Sequence, residues 1–165
     1  MAKRVQNSFG KCHHNKGTCV EVRGDLRYVL DNTREFYLFD VVPVGAVRMT
    51  KRDRIFTNPN HIDPLKRQRP AVTKYFAFKN TLTAQSIEMG YELGKWLEAV
   101  YLIPMPDSWS NKKKEKMNGL PCESKPDTDN ITKAIKDAML KNDSAVWWEK
   151  AEKRWAYRGS IIIFK

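Results

Sequence analysis

The chain has no apolar run approaching the roughly 20 residues that a membrane-spanning helix needs. Its opening stretch, MAKRVQNSFGKCHHNKG, carries charge but no apolar segment, so no secretory signal is expected there and a cytoplasmic location is. Cysteine is scarce and odd in number: Cys12, Cys19 and Cys122 are the only three, which excludes an even disulfide framework and fits free thiols. Cys12, His13, His14 and Cys19 are metal-ligand types, but their spacing fits no common zinc pattern and no second ligand pair follows. A polar loop or leader is the expectation there. Acidic residues are also in short supply. Asp and Glu number 19 against 30 Lys and Arg, a formal net charge of +11. Such a chain repels itself and calls for a polyanionic partner, nucleic acid before a membrane surface.

What is present fits one compact domain. The 165 residues suffice for a real core but would be cramped as two domains. Residues 1–35 read as an N-terminal extension of unknown role, with a strand or hairpin expected over Thr18–Leu30. Phe36–Val42 (FYLFDVV) is aromatic and β-branched, as a buried strand is. A long basic connection, Arg48–Lys74, contains three prolines that argue against regular structure. A helix is predicted over Tyr75–Gly90, with apolar groups at Phe76, Leu82, Ile87 and Met89 and closure by Gly90. Trp96–Ile103 reads as a strand stopped by Pro104-Met105-Pro106. Asp107–Lys125 reads as a loop or a short basic helix, and Asp129–Lys141 as a helix with a 3.6-residue apolar stripe. Val146–Tyr157 and Ser160–Phe164 read as strands, with Arg158-Gly159 as a hairpin turn between them. The order β, α, β, α, β, β implies an α/β or α+β fold: a mixed sheet of about four strands with two main helices.

The most informative segment is Lys125-Pro126-Asp127-Thr128-Asp129-Asn130-Ile131-Thr132-Lys133. Residues two apart in an extended segment point to the same side. Asp127 and Asp129 placed so would repel each other without a cation. A divalent metal removes that repulsion, and hard oxygen ligands suit Mg²⁺ or Mn²⁺. Lys133 follows Asp129 by four, so on a helix it shares that face and can meet a phosphate. Asp143 lies just past the helix and becomes a third carboxylate if the chain reverses toward the helix face. The chemistry that suits this set is phosphodiester hydrolysis, in which a metal acidifies water and polarises phosphate. The plainer reading is open beside it. An Asp before a helix is an ordinary N-cap, Asp143 a turn residue and Lys133 a surface charge. Against it stands the setting: a local acidic cluster in a chain dominated by Lys and Arg, because DNA binding and metal binding demand opposite charges.

Arg48, Lys51, Arg52, Arg54 and Arg69, with Lys112, Lys113 and Lys114, are the candidate phosphate contacts, although most charge runs are solvated faces. Phe56, Tyr75, Phe76 and Phe78 are interleaved with the first group and offer stacking surfaces for unpaired bases. Trp109, Trp147, Trp148 and Trp155 fit core or subunit-interface anchors better than DNA wedges.

Asp127-Thr128-Asp129-Asn130, Lys133 and then Asp143 after one helix resemble the RusA family of Holliday junction resolvases. Pro104-Met105-Pro106, Ala151-Glu152-Lys153-Arg154 and Gly159-Ser160-Ile161-Ile162-Ile163 agree with it, as does the basic loop from Pro43-Val44-Gly45 to Arg54. The resemblance covers Phe36–Lys165, so residues 36–165 are expected to form a RusA-like domain. It implies a small α/β homodimer whose metal-binding acids map onto Asp127, Asp129 and Asp143 and whose catalytic lysine maps onto Lys133. It also implies symmetric cutting of four-way junctions in recombination and repair, in a bacterial host and encoded by a phage or prophage. Two other readings are a non-catalytic nucleic-acid-binding protein and a nuclease for other branched DNA.

Overall fold

The computed structural model describes residues 10–12, 36–56 and 69–165. In chain order the elements are β1 (Gly10–Cys12), β2 (Phe36–Phe39), α1 (Lys51–Phe56), α2 (Pro70–Met89), β3 (Trp96–Pro104), α3 (Asn111–Met117), α4 (Thr128–Met139), β4 (Trp148–Ala156) and β5 (Ser160–Phe164). They form a mixed sheet in the order β1-β2-β5-β3-β4, with β3 and β4 parallel and every other pair antiparallel. The expected α+β fold is thus present, with the short β1 added at one edge. The expected strand or hairpin over Thr18–Leu30, together with His13, His14 and Cys19, lies outside the described residues. Among the described residues no helix is long and apolar enough to cross a membrane.

The core explains the two densest apolar segments. β3 is flanked by β4 and β5 and is buried on both faces, so its sequence is a nearly continuous apolar run rather than an alternation. Leu97, Ala99, Tyr101 and Ile103 point to the main core, and Val100 and Leu102 to a second cluster with Phe36, Ala156 and Ile162. β5 supplies Ile161 and Ile163 to the first cluster and Ile162 to the second. Helix α4 lays its stripe, Ile131, Ala134 and Ile135, against the main core, each fully buried. Burial of the two isoleucines contributes about 1.5–3 kcal/mol apiece. The Tyr101 hydroxyl and Thr132 Oγ1 lie 2.8 Å apart, which bolts α4 to β3. Helix α2 packs beside α4, and Thr83 Oγ1 donates to the Ala138 carbonyl at 3.1 Å.

Four local expectations change. Gly10–Cys12 is not loop but an edge strand on β2, so the sheet takes in part of the leading segment. The Arg48–Lys74 connection contains a helix, α1, whose start is a reciprocal cap: Thr50 Oγ1 accepts from the Asp53 amide at 3.2 Å, and Asp53 Oδ2 accepts from the Thr50 amide at 2.8 Å. Helix α2 begins at Pro70, five residues before the expected Tyr75, because proline at the first helical position loses no hydrogen bond. That shift moves the buried stripe to Val72, Tyr75, Phe78 and Leu82 and leaves Ile87 76% exposed. Gly90 ends the helix in the left-handed region (φ 60°), as expected. Asp107–Lys125 does hold a short basic helix, α3. Finally, Arg158-Gly159 is not a hairpin turn. β4 and β5 lie on opposite sides of β3, and the connection crosses the end of that strand. Gly159 is required there, since a Cβ would sit 2.9 Å from Val42 Cα.

Candidate active site at the two ends of helix α4

The approach to α4 is held by strand β4. Gly119 and Cys122 donate backbone hydrogen bonds to Trp155 and Lys153, and Trp155 donates to Leu120. Lys153 then points its ammonium into the following bend, donating to the carbonyls of Ser124 (2.6 Å) and Pro126 (2.8 Å). This lysine fixes the residues immediately before Asp127. The Lys125–Pro126 peptide bond is cis. On the other side, the Ala46 amide donates to the Asn130 carbonyl at 3.0 Å, and Gly45 lies so close that a Cβ would be 2.8 Å from Asn130 Nδ2 and 2.9 Å from Pro126 Cβ. Between this loop and the bend lies a depression of about 480 Å³ that reaches Asp127 and Asn130.

Asp127 is the N-cap residue of α4, with extended backbone (φ −69°, ψ 152°), and its carbonyl accepts the Ile131 amide at 3.1 Å. Its carboxylate, however, makes no capping hydrogen bond. Asp129 lies in the first helical turn and is exposed. Because Thr128 already belongs to the helix, the extended pairing expected for Asp127 and Asp129 applies only up to Asp127. Both acids instead stand at the end of the helix where amide N–H groups point outward and the dipole is positive, a setting that favours negative charge.

Lys133 lies one turn beyond Asp129, as expected, but its ammonium reaches the other way. It donates to Asp143 Oδ2 at 3.1 Å and Asp137 Oδ1 at 3.4 Å. Asp143 arrives through the reversal that its candidacy required. A short 3₁₀ turn, Asp143–Ala145, is capped by Asn142, whose Oδ1 accepts from the Ser144 amide at 3.1 Å and the Ser144 hydroxyl at 2.8 Å. Hydrogen bonding to Lys133 holds the Asp143 carboxyl below its ordinary range, and the same bond raises Lys133, with Asp137 adding to the effect. Asp137 Oδ2 in turn accepts the hydroxyl of Tyr75, from α2, at 2.8 Å. Burial first, and then this bond, push the Tyr75 phenol well above its usual value. Among the described residues no group of three His, Cys, Asp or Glu side chains stands close enough to hold a metal ion as the side chains lie.

Asp137 is not singled out in the sequence, Lys153 and Gly45 enter only through the family resemblance, and Tyr75 reads as a stacking surface, which its burial, like that of Phe78, rules out. Asp137 had a visible signal, four residues after Lys133 on the same helix face. Tyr75 had none, being 62 residues away from Asp137.

The expected phosphate contacts divide. Arg48, Lys51, Arg52 and Arg54 are exposed on α1 and the residue stretch before it. Arg69 is committed internally: its guanidinium grips both oxygens of the buried Asp53 and donates to the Arg48 carbonyl. The Arg69 and Thr50 hydrogen bonds hold the Asp53 carboxyl far below the usual carboxylate range. On α3, Lys112 is exposed, the Lys113 ammonium lies 4.0 Å from the centre of the Trp109 ring, and Lys114 is 4.0 Å from Asp107. Trp109 itself packs on the buried Trp155, ring centres 5.0 Å apart. Trp147 and Trp148 behave differently, at 75% and 40% exposed.

A comparison with protein-family models matches residues 45–164 to the endodeoxyribonuclease RusA family. No curated protein and no solved structure gives a significant match.

Proposed function

Because the chain belongs to the RusA endodeoxyribonuclease family, we propose that it resolves four-way DNA junctions by paired, metal-dependent phosphodiester hydrolysis in recombination and repair. The observation that carries the site is the state of the acids at the start of α4: Asp127 and Asp129 stand at the positive end of the helix, and the Asp127 carboxylate is not spent on capping. Hard carboxylate oxygens held there fit Mg²⁺ or Mn²⁺. In this reading Asp127, Asp129 and Asp143 are the carboxylates that would hold the ion, Asp143 being the one now bonded to Lys133. When bound, the ion supplies Lewis acidity and a water more acidic than bulk solvent. Lys133 keeps a positive charge on the same helix face, where it steadies negative charge that builds on the phosphate in the transition state. Exposed Arg48, Lys51, Arg52 and Arg54, with Lys112 and Lys113, bind the DNA backbone. If about 6–10 phosphates are engaged, affinity falls about 10³–10⁵-fold between 50 and 200 mM salt.

Symmetric cutting needs two such sites, so the working unit is a homodimer. Trp96, Trp147 and Trp148, 40%, 75% and 40% exposed at the start of β3 and β4, offer an aromatic patch for a second copy. Trp147→Ala is expected to shift the monomer–dimer balance toward monomer in analytical ultracentrifugation.

The deciding experiment incubates the protein with a labelled four-way junction and Mg²⁺ and maps the nicks. Paired symmetric nicks that disappear in Asp129→Asn are the expected result. Nicks confined to one strand, or a preference for flap or linear duplex substrates, overturn junction resolution, and undiminished cutting by Asp129→Asn overturns its role.

A further inference from the structure

Lys133 has a long flexible stem, and its side chain is 55% exposed, so packing alone does not place its ammonium. Two carboxylates do, from different supports. Asp143 sits on the short turn after α4 and its side chain is 46% exposed. Asp137 sits one helical turn beyond Lys133, and its side chain is only 26% exposed. The two oxygens of Asp137 are divided between two partners: Oδ1 faces the Lys133 ammonium at 3.4 Å and Oδ2 accepts the Tyr75 hydroxyl at 2.8 Å. Tyr75 is itself 5% exposed within the core, with the Phe76 ring edge-on at 5.8 Å and Lys79 Nζ 5.6 Å from its centre. The carboxylate is therefore oriented from a second helix, independently of the turn that carries Asp143.

We infer that Asp137, oriented by Tyr75, is a positioning residue that fixes the Lys133 ammonium beside Asp143. The inference rests on the proposed function and deepens it. Were Asp143 to share its charge with a divalent ion, its hold on Lys133 would weaken. Asp137 is oriented independently by a buried hydroxyl, so its hold would persist. Tyr75 and Asp137 act through Lys133.

The test uses the full chain. Steady-state cleavage of a four-way junction is measured for Tyr75→Phe and Asp137→Asn, alone and in a Lys133→Ala background. Losing a partner that orients a reacting group costs about 10–100-fold, so kcat is expected to fall by that factor in Asp137→Asn and less in Tyr75→Phe. The KM for junction and the Mg²⁺ concentration at half-maximal rate should stay put. In the Lys133→Ala background neither change should lower kcat further. An equal loss in both backgrounds, or a change in KM alone, overturns the inference. A second readout needs no cleavage: the Lys133 ammonium N–H signal in ¹⁵N NMR with saturating Mg²⁺. It should be visible in the wild-type protein and broadened away in both variants. A wild-type protein without that signal, or variants that keep it, overturns the inference. A protein that holds the signal but cuts no junction overturns the proposed function instead.

Discussion

The two ends of α4 carry the same kinds of residue in opposite states. Toward its C-terminal end, every charged group of the candidate site has an internal partner: Tyr75 to Asp137, Asp137 to Lys133, Lys133 to Asp143. At its N-terminal end, Asp127 occupies the capping position without using its side chain to cap, and Asp129 points outward beside it. A helix end normally takes the capping bond, since it satisfies an orphan N–H at little cost. A carboxylate that forgoes it, in a chain with a net charge of +11, is available to something outside the protein. The satisfied end holds geometry, and the unsatisfied end is where a ligand has most to gain.

Exchanging charge at the unsatisfied end should therefore cost activity and little stability. Asp129→Asn is expected to lower kcat by about 10²–10³-fold, the scale of losing one transition-state charge contact. Its thermal unfolding midpoint should stay close to the wild-type value, and a large drop in that midpoint would erase the contrast. Gly45→Ala comes next. Its new methyl collides with Asn130 and Pro126, and a displacement of about 1 Å near reacting groups can cost up to 10²-fold. A fall of about 10–100-fold in kcat is expected, with the circular dichroism spectrum unchanged.

A satisfied carboxylate outside the helix supplies a control. Asp53 is buried, gripped by Arg69 and Thr50, and its carboxyl lies far below the ordinary value. A depressed carboxyl contributes stability that is present above the unfolded-state value and is lost as pH falls toward the folded one. Wild-type melting temperature should thus drop more steeply below about pH 4 than that of Asp53→Asn, which should already be less stable at neutral pH. Parallel curves for the two proteins would contradict the clamp. The smallest effect belongs to Asp127→Ala. Losing an Asp that caps a helix costs typically about 1 kcal/mol. With no capping bond to lose, urea unfolding should show less than about 0.5 kcal/mol, the low end of that range.

Much of this was legible beforehand because it is written in local pattern. The apolar run of β3 reports burial on both faces, the stripe Ile131, Ala134, Ile135 reports the buried side of α4, and Gly90 reports a helix end. The candidacy of Asp127, Asp129 and Lys133 rests on spacing, while that of Asp143 hung on a chain reversal that spacing does not show. Less legible were features whose cause lies elsewhere in the chain. The start of α2 hid behind a proline that looked like a breaker. The bond of Arg69 to Asp53, 16 residues away, left no local mark in the sequence.

By itself, the sequence determined the charge balance, the two principal helices and four of the five sheet-forming segments, and it singled out the acidic cassette as a candidate. Each depends on residues within a few positions of one another, where backbone geometry dictates which side chains share a face. Tertiary structure alone decided that β4 and β5 straddle β3, that Lys153 braces the bend before Asp127, that Asp143 returns to Lys133, and that Tyr75 orients Asp137. Those outcomes depend on which distant surfaces bury each other, and burial is non-directional. Nothing in a local spacing could announce them.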